Sequence, residues 1–118
     1  MEQFDTDSLT PMHWFAIGLA TLSGVIHLVL ALIVPILVLR VSFLLAGVGF
    51  FGGIVLVLAN YYRTTLYAVG IPFTGVQIVL WYVIVGPTAE ALELLDVIDK
   101  LAQIVLIGLL AVLYNRER

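Results

Sequence analysis

Three polar side chains that lie inside long apolar segments are the candidate functional groups of this sequence. His27 lies within the apolar stretch from Met12 to Ile33, which is about long enough to cross a bilayer core, and Gln77 and Gln103 lie within two later apolar stretches. An imidazole can exchange a proton and an amide can both donate and accept hydrogen bonds. No motif of a hydrolase or an intramembrane protease accompanies them. We therefore predict a small polar site in a membrane and no enzymatic activity.

The composition predicts a membrane protein. The chain has 118 residues, of which 63% are hydrophobic and 11% charged, with a net charge of −3 and a mean hydropathy of +1.18. These values are far from those of a soluble domain. The length allows four crossings of about 20 residues and leaves no room for a separate soluble domain. The absence of cysteine excludes disulfides and thiolate metal sites.

Proline and polar residues divide the chain into four predicted helices. Thr10 and Pro11 form a good helix start, Pro35 interrupts the first apolar run, and Gly86 with Pro87 ends the third. We place the helices at about residues 11–33, 42–59, 65–85 and 100–114. The short connections favour an all-α, integral membrane, four-helix up-and-down bundle that forms one domain over residues 1–118.

Residues 88–98 form a more polar segment with an amphipathic pattern. Acids recur every three residues, at Glu90, Glu93, Asp96 and Asp99. On a helix this spacing turns by about 60° per step, so the carboxylates spread over half the cylinder and do not converge on one cation. We expect an interfacial helix with a solvated acidic face and no metal site. All carboxylates are expected outside the apolar cores, which argues against a proton-coupled exporter of the small four-helix kind.

The candidate intramembrane polar site lies on the inward faces of three helices. In an up-and-down bundle His27 lies about 9 Å from the Pro35 end of helix 1, and Gln77 about 12 Å from the Pro87 end of helix 3, on one side of the membrane. Gln103 is expected at a similar depth. The full set is His27, Gln77, Gln103, Ser23, Thr74 and Trp81. The set either fixes helix register through hydrogen bonds or binds a small molecule, lipid headgroup or ion.

Small residues on the same faces predict close helix packing. Gly24 lies on the inward stripe of helix 1, and Gly49 with Gly53 forms a GxxxG spacing on helix 2. We expect this spacing to serve packing within the chain rather than a dimer. His13 is expected as an interfacial anchor. It lies about 21 Å along the helix from His27, so the two cannot ligate one haem iron within a chain; a single axial ligand or a dimer remains open.

Four strings resemble a known family: SLTPMHW, SGVIHL, SFLLAGVGF and VGIPFTGVQIVLWYV. Together they resemble a family of small four-helix membrane proteins of halophilic archaea that is known only as a domain of unknown function. The resemblance covers nearly the whole chain and implies no activity. The acidic, lysine-poor loops agree with such a habitat.

We predict a small structural or accessory multi-pass protein of the cell membrane. The alternative is a small-molecule or lipid-binding protein, or a transporter, with its site around His27. The expected partners are the lipid bilayer and either further copies of the chain or another membrane protein, with no nucleic acid and no cofactor. Arginines near the termini and the second loop favour cytoplasmic termini, although the charges around helix 1 alone argue the other way.

Overall fold

The computed structural model describes residues 6–84 and 94–118. In these two ranges the chain folds into four α-helices and contains no strand. The helices are α1 (Pro11–Ile33), α2 (Leu37–Leu58), α3 (Arg63–Ile84) and α4 (Leu94–Glu117). The prediction of an all-α chain with four helices is therefore confirmed.

Thr10 and Pro35 set the two ends of α1. The backbone N–H of Thr10 donates to Nδ1 of His13 at 3.0 Å, so a side chain of the first turn caps the helix start. At the other end Val34 has an extended backbone, with φ −75° and ψ 129°. Pro35 imposes this conformation on the residue before it and cannot continue the backbone ladder, so the helix ends.

α2 begins at Leu37, five residues before the predicted start at residue 42. The predicted helix bounds leave residues 34–41 as the connection, which is too long because residues 37–41 are helical. In the structure Arg40 lies in the first turn of α2, and its Nε donates to the carbonyl oxygen of Ala31 at 3.1 Å. The guanidinium therefore satisfies a carbonyl in the last turn of α1, and residues 34–36 suffice as the link.

The bounds of α3 and α4 also differ from the predicted ones. α3 begins two residues earlier, at Arg63, whose Nε donates to the carbonyl oxygen of Val57 at the end of α2. Pro72 lies inside α3 without ending it. α4 is longer at both ends than the predicted 100–114 and starts at Leu94. Residues 94–98 of the predicted interfacial helix thus belong to α4, and the rest of that segment, with Glu90 and Glu93, lies outside the described residues.

Adjacent helices run antiparallel, and the size of the contact differs from one helix pair to the next. α1 packs most extensively on α2, α4 packs on both α1 and α3, and α2 and α3 make the smallest of these contacts. At the α1–α2 contact, a Cβ on Gly47 would lie 3.1 Å from the carbonyl oxygen of Gly24. A Cβ on Gly49 would lie 2.6 Å from the ring of Phe73 in α3, whereas no described atom lies within 4 Å of a Cβ on Gly53. Gly24 therefore lies at a close helix contact and Gly53 does not.

The outer surface of the bundle is apolar on all four helices. Leu32, Val38 and Val83 are each more than 70% exposed, and many other large apolar side chains are exposed. Each of the four helices is long and apolar enough to cross a membrane. Among the described residues the bundle buries polar side chains near its ends, such as His13 and Arg63, and also near the middle of its helices, such as Ser23 and Thr74.

Candidate functional site: two interhelical polar networks

One polar network joins α1, α3 and α4 near the end of α1 and the start of α4. We call it the Asp99 network, and its members are Ser23, His27, Gln77, Asp99, Lys100 and Gln103. It brings together four of the six residues predicted for the polar site. The other two, Thr74 and Trp81, form no hydrogen bond to it within the described part of the chain.

Asp99 is the centre of this network. Its side chain accepts a hydrogen bond from Oγ of Ser23 at 2.6 Å and one from Nζ of Lys100 at 2.9 Å. The residue is only 2% exposed, so the expectation that every acid lies outside the apolar cores is wrong. Asp99 is buried because α4 starts five residues before it, and because Lys100 and Ser23 compensate the cost of removing a carboxylate from water.

Two glutamines extend the network from α4 to α3. Nε2 of Gln103 donates to Oε1 of Gln77 at 2.8 Å and lies 3.3 Å from Oγ of Ser23. Oε1 of Gln103 accepts from Lys100 at 3.1 Å. Nε2 of Gln77 donates to the carbonyl oxygen of Phe73, one turn earlier on its own helix. The amide groups of both glutamines are therefore engaged inside the protein.

His27 is held by its own helix and faces the carboxylate. Its Nδ1 lies 2.7 Å from the carbonyl oxygen of Ser23, so this nitrogen carries a proton and donates it. Nε2 lies 3.8 Å from Oδ2 of Asp99, which is beyond hydrogen-bond distance. The rings of Phe43 and Phe50 lie 5.8 Å from the imidazole and cover it from α2. His27 is thus oriented by packing and by one backbone bond.

Lys100 connects the network to the surface. Its side chain is 13% exposed and its Nζ lies 5.9 Å from the centre of the Trp81 ring. A lysine stem can follow an apolar surface while the ammonium group stays near water, and the indole face attracts the cation. Trp81 therefore borders the network through its ring and not through its Nε1.

A second polar network closes the opposite end of the bundle, where α1 begins and α4 ends. We call it the Glu117 network, and its members are Thr10, His13, Tyr67 and Glu117. Nε2 of His13 lies 2.5 Å from Oε2 of Glu117, and the hydroxyl of Tyr67 donates to the same carboxylate at 3.1 Å. Since Nδ1 of His13 accepts from Thr10, Nε2 is the nitrogen that donates to Glu117.

His13, which is expected as an interfacial anchor, lies in the first turn of α1 and is buried there. It is 5% exposed, and it links the start of α1 to the last turn of α4. Its burial follows from its position in the first turn of α1, where it caps Thr10 and still reaches Glu117 with its second nitrogen. Tyr67, which is 1% exposed, completes the contact from α3.

Sequence reasoning missed Asp99, Lys100 and Glu117 as network members. A usable signal existed for Asp99, because it lies four residues before Gln103 and therefore on the same helix face. Lys100 then follows from the need to neutralise a buried carboxylate. No comparable signal exists for Glu117, whose partner His13 is 104 residues away.

The described residues contain no group of three or more His, Asp or Glu side chains arranged to hold a metal ion. Within each of the two networks, the polar atoms form hydrogen bonds mainly with other members of the same network. The arrangement can hold three helices in one register and can bury one carboxylate at low cost. The hydroxyl of Ser23 donates to Asp99 at 2.6 Å and lies 3.4 Å from Nδ1 of His27, but that nitrogen donates to the carbonyl oxygen of Ser23 and so does not accept the hydroxyl proton.

Comparison with known proteins gives one result. A family described as "Family of unknown function (DUF7475)" matches residues 2–114. No curated protein and no solved structure matches the chain. The match agrees with the resemblance to a domain of unknown function, whereas the halophilic archaeal source remains a prediction.

Proposed function

The chain belongs to DUF7475, a family of unknown function, and from its own residues we propose a small structural or accessory protein of the cell membrane. It crosses the bilayer four times as an up-and-down bundle, and it acts through contact with the bilayer and with further copies or another membrane protein. It is not an enzyme. The role follows from how its polar groups are used.

The bilayer is the solvent that suits the outer surface. Leu37 is 71% exposed, and comparable side chains cover every helix, so in water the bundle would present a continuous apolar surface of a size that drives aggregation. In hydrocarbon the same surface is favourable, and the backbone groups are satisfied inside the helices. The Glu117 network then lies near one membrane face, and the Asp99 network lies inside the opposite half of the bilayer.

The proposed role rests on the way in which the polar groups of the Asp99 network pair with one another. Its carboxylate, ammonium and amide groups bond to each other across α1, α3 and α4, so few of them are left for a substrate. Interhelical hydrogen bonds in membranes contribute about 0.6 kcal/mol each on average, enough together to fix a register. A bundle of this kind is suited to present stable outer faces to a partner.

A second candidate function is proton-coupled transport or ligand binding around His27. The buried carboxylate of Asp99, 3.8 Å from Nε2 of His27, favours it, because it supplies the intramembrane acid that such a role requires. We rank it second because Lys100 already pairs with Asp99. In addition, neither His27 nor Asp99 lines the apolar cavity between the helices that is described in the next subsection.

Native mass spectrometry of protein gently extracted from its own membrane tests the role. We expect a complex with another membrane protein or with further copies, and the same complex for His27→Gln. A protein that always elutes as a bare monomer would contradict the accessory role. An extra small-molecule mass that His27→Gln removes, while the fold remains intact, would favour the second candidate.

We propose cytoplasmic termini for the bundle. Arg63, Arg116 and Arg118 lie on the side of the termini, against Arg40 and Lys100 on the other. Because the chain has no cysteine, single cysteines can be introduced as labels. An impermeant maleimide should label Ile36→Cys on intact cells and Asn115→Cys only after lysis. The reverse pattern would place the termini outside.

A further inference from the structure

An apolar cavity of about 430 Å³ lies between the two polar networks. Residues of all four helices line it, among them Ala20, Phe50, Gly53, Phe73 and Leu110. Its size is within the range of small-molecule sites, and apolar cavities of this kind exclude water and accept apolar molecules. Phe50 separates it from His27, so it is distinct from the Asp99 network.

The cavity opens between α2 and α3. Both polar networks, as defined above, join α1, α3 and α4, and neither includes a residue of α2. The rim contains Gly52 and Leu56 from α2 and Val69 from α3, all of them exposed. The α2–α3 contact is also the smallest of the bundle. In the proposed membrane placement this opening faces the hydrocarbon, so a ligand enters from the bilayer.

Thr74 gives the cavity one polar feature that lacks a partner. The residue is 1% exposed and lines the cavity, and in the described structure its Oγ1 has no hydrogen-bond partner. An unsatisfied buried hydroxyl destabilises a protein, and a ligand oxygen would remove that cost. Thr74 lies near the middle of α3, at the depth of the bilayer centre.

The remaining lining limits the chemistry of the ligand. Among the described lining residues none is Asp, Glu, Lys or Arg, and the polar groups of His13 and Tyr67 already bond to Glu117. A charged headgroup would therefore find no counter-ion and would have to leave the membrane interface. An uncharged molecule with a single oxygen at mid-membrane depth matches both the lining and Thr74.

We propose that this cavity binds a neutral lipophilic molecule with a ketone-type or quinone-type carbonyl group. The carbonyl oxygen accepts a hydrogen bond from Oγ1 of Thr74, the apolar body fills the space between Phe50 and Leu110, and the molecule enters between α2 and α3. This inference rests on the membrane placement proposed above, but not on the accessory role.

Benzophenone is a suitable probe because it is a neutral ketone that forms covalent adducts with nearby C–H bonds on irradiation. The full-length protein in lipid nanodiscs is irradiated with increasing benzophenone, and the adducts are mapped by peptide mass spectrometry. We expect saturable adducts at cavity-lining residues of α2 and α3. Adducts spread over the lipid-facing surface in proportion to exposure, without saturation, would overturn the proposal.

Two pairs of variants sharpen the test. Gly53→Leu places a side chain in the open space of the cavity and should weaken saturable labelling about tenfold or more. Gly108→Leu is its control, since Gly108 also has open space around a Cβ but does not line the cavity. Equal labelling of the two variants would contradict the site.

Thr74→Val keeps the shape and removes the hydroxyl, with Thr65→Val as the control on the exposed face of α3. We expect Thr74→Val to weaken benzophenone labelling about fivefold, as for one neutral hydrogen bond. Diphenylmethane, which lacks the oxygen, should compete equally well in both proteins. No difference between the valine variants would remove Thr74 from the proposal. Incorporation into nanodiscs is checked first, so failure of the membrane placement is seen separately.

Discussion

Asp99→Ala is expected to cause the largest loss of stability, about 3 to 5 kcal/mol in the free energy of unfolding. The substitution leaves the ammonium of Lys100 without its carboxylate and removes the acceptor of the Ser23 hydroxyl. Breaking a buried pair by removing one partner costs more than the pair itself contributes, because the other charge remains in low dielectric. The Lys100 side chain is partly exposed, at 13%, so water can reach the unpaired ammonium and the loss should be at the lower end of this range.

The measurement is an unfolding titration with a denaturing detergent in mixed micelles, followed by circular dichroism. Asp96→Ala is the matched control, because Asp96 lies three residues earlier on α4 and is only partly buried. We expect it to cost less than Asp99→Ala, because water reaches the partly exposed Asp96 side chain and solvates what the substitution leaves behind. Equal losses for the two variants would contradict a central role of Asp99.

A double variant separates the two sources of the loss. Replacing both Asp99 and Lys100 with leucine removes the pair together with its desolvation cost, so the double variant should be more stable than Asp99→Ala. A double variant that is as unstable as Asp99→Ala would mean that the lost hydrogen bonds to Ser23 and within α4 matter more than the unpaired charge.

The helix faces could be predicted from the sequence because they depend only on local geometry. An advance of 100° per residue places Ser23, Gly24 and His27 on one side of α1, and the same rule places Gln77 and Gln103 inward. Antiparallel order with short links then puts them at one depth. The convergence of these residues in the Asp99 network needs no information beyond spacing and topology.

The burial of Asp99 could not be predicted in the same way. A carboxylate near the start of a helix is solvated by default, and only a cation and a donor on a neighbouring helix make its burial favourable. The start of α4 could not be predicted from the sequence either. The acidic residues in its first turns give it the pattern of a segment that lies on the membrane surface. The spacing of Asp99 and Gln103 shows that they share a helix face, but the contact with Ser23 on α1 that makes burial of the carboxylate favourable is tertiary and has no local pattern.

The cavity could not be predicted from the sequence, because it depends on which two neighbouring helices pack loosely against each other. The two networks hold α1, α3 and α4 together, while α2 is attached mainly to α1 through the close approach of Gly24 and Gly47. The GxxxG spacing of Gly49 and Gly53 suggested a packing surface. In the structure Gly53 instead contributes empty space, because the partner helix does not reach it.

Glu117→Ala is the second large effect and concerns the opposite end of the bundle. Removing the carboxylate leaves the hydroxyl of Tyr67 and Nε2 of His13 without their acceptor, although both residues stay buried. Each buried donor left unsatisfied costs about 1 to 3 kcal/mol. The Glu117 side chain is 28% exposed, so water reaches part of the vacated site, and we expect a total loss of about 2 kcal/mol.

The same unfolding titration measures this loss, with Arg118→Ala as the control at the adjacent exposed position. We expect the control to change stability by less than about 0.5 kcal/mol. Glu117→Gln keeps an acceptor oxygen, so we expect it to lose only about half as much stability as Glu117→Ala. A loss for Glu117→Ala no larger than that of Arg118→Ala would show that the end of α4 frays without consequence.

Tyr67→Phe in the background of Glu117→Ala then tests the stated cause. If the orphaned hydroxyl of Tyr67 is responsible, its removal should recover about 1 kcal/mol, whereas in the natural chain the same substitution should destabilise. The change of sign distinguishes a hydrogen bond from simple packing of the Tyr67 ring, because a packing role would give the same sign in both backgrounds. Stability that depends on both Asp99 and Glu117 would mean that α1, α3 and α4 are fixed to one another in both halves of the bundle, leaving the small contact between α2 and α3 as the one free to adjust around a ligand.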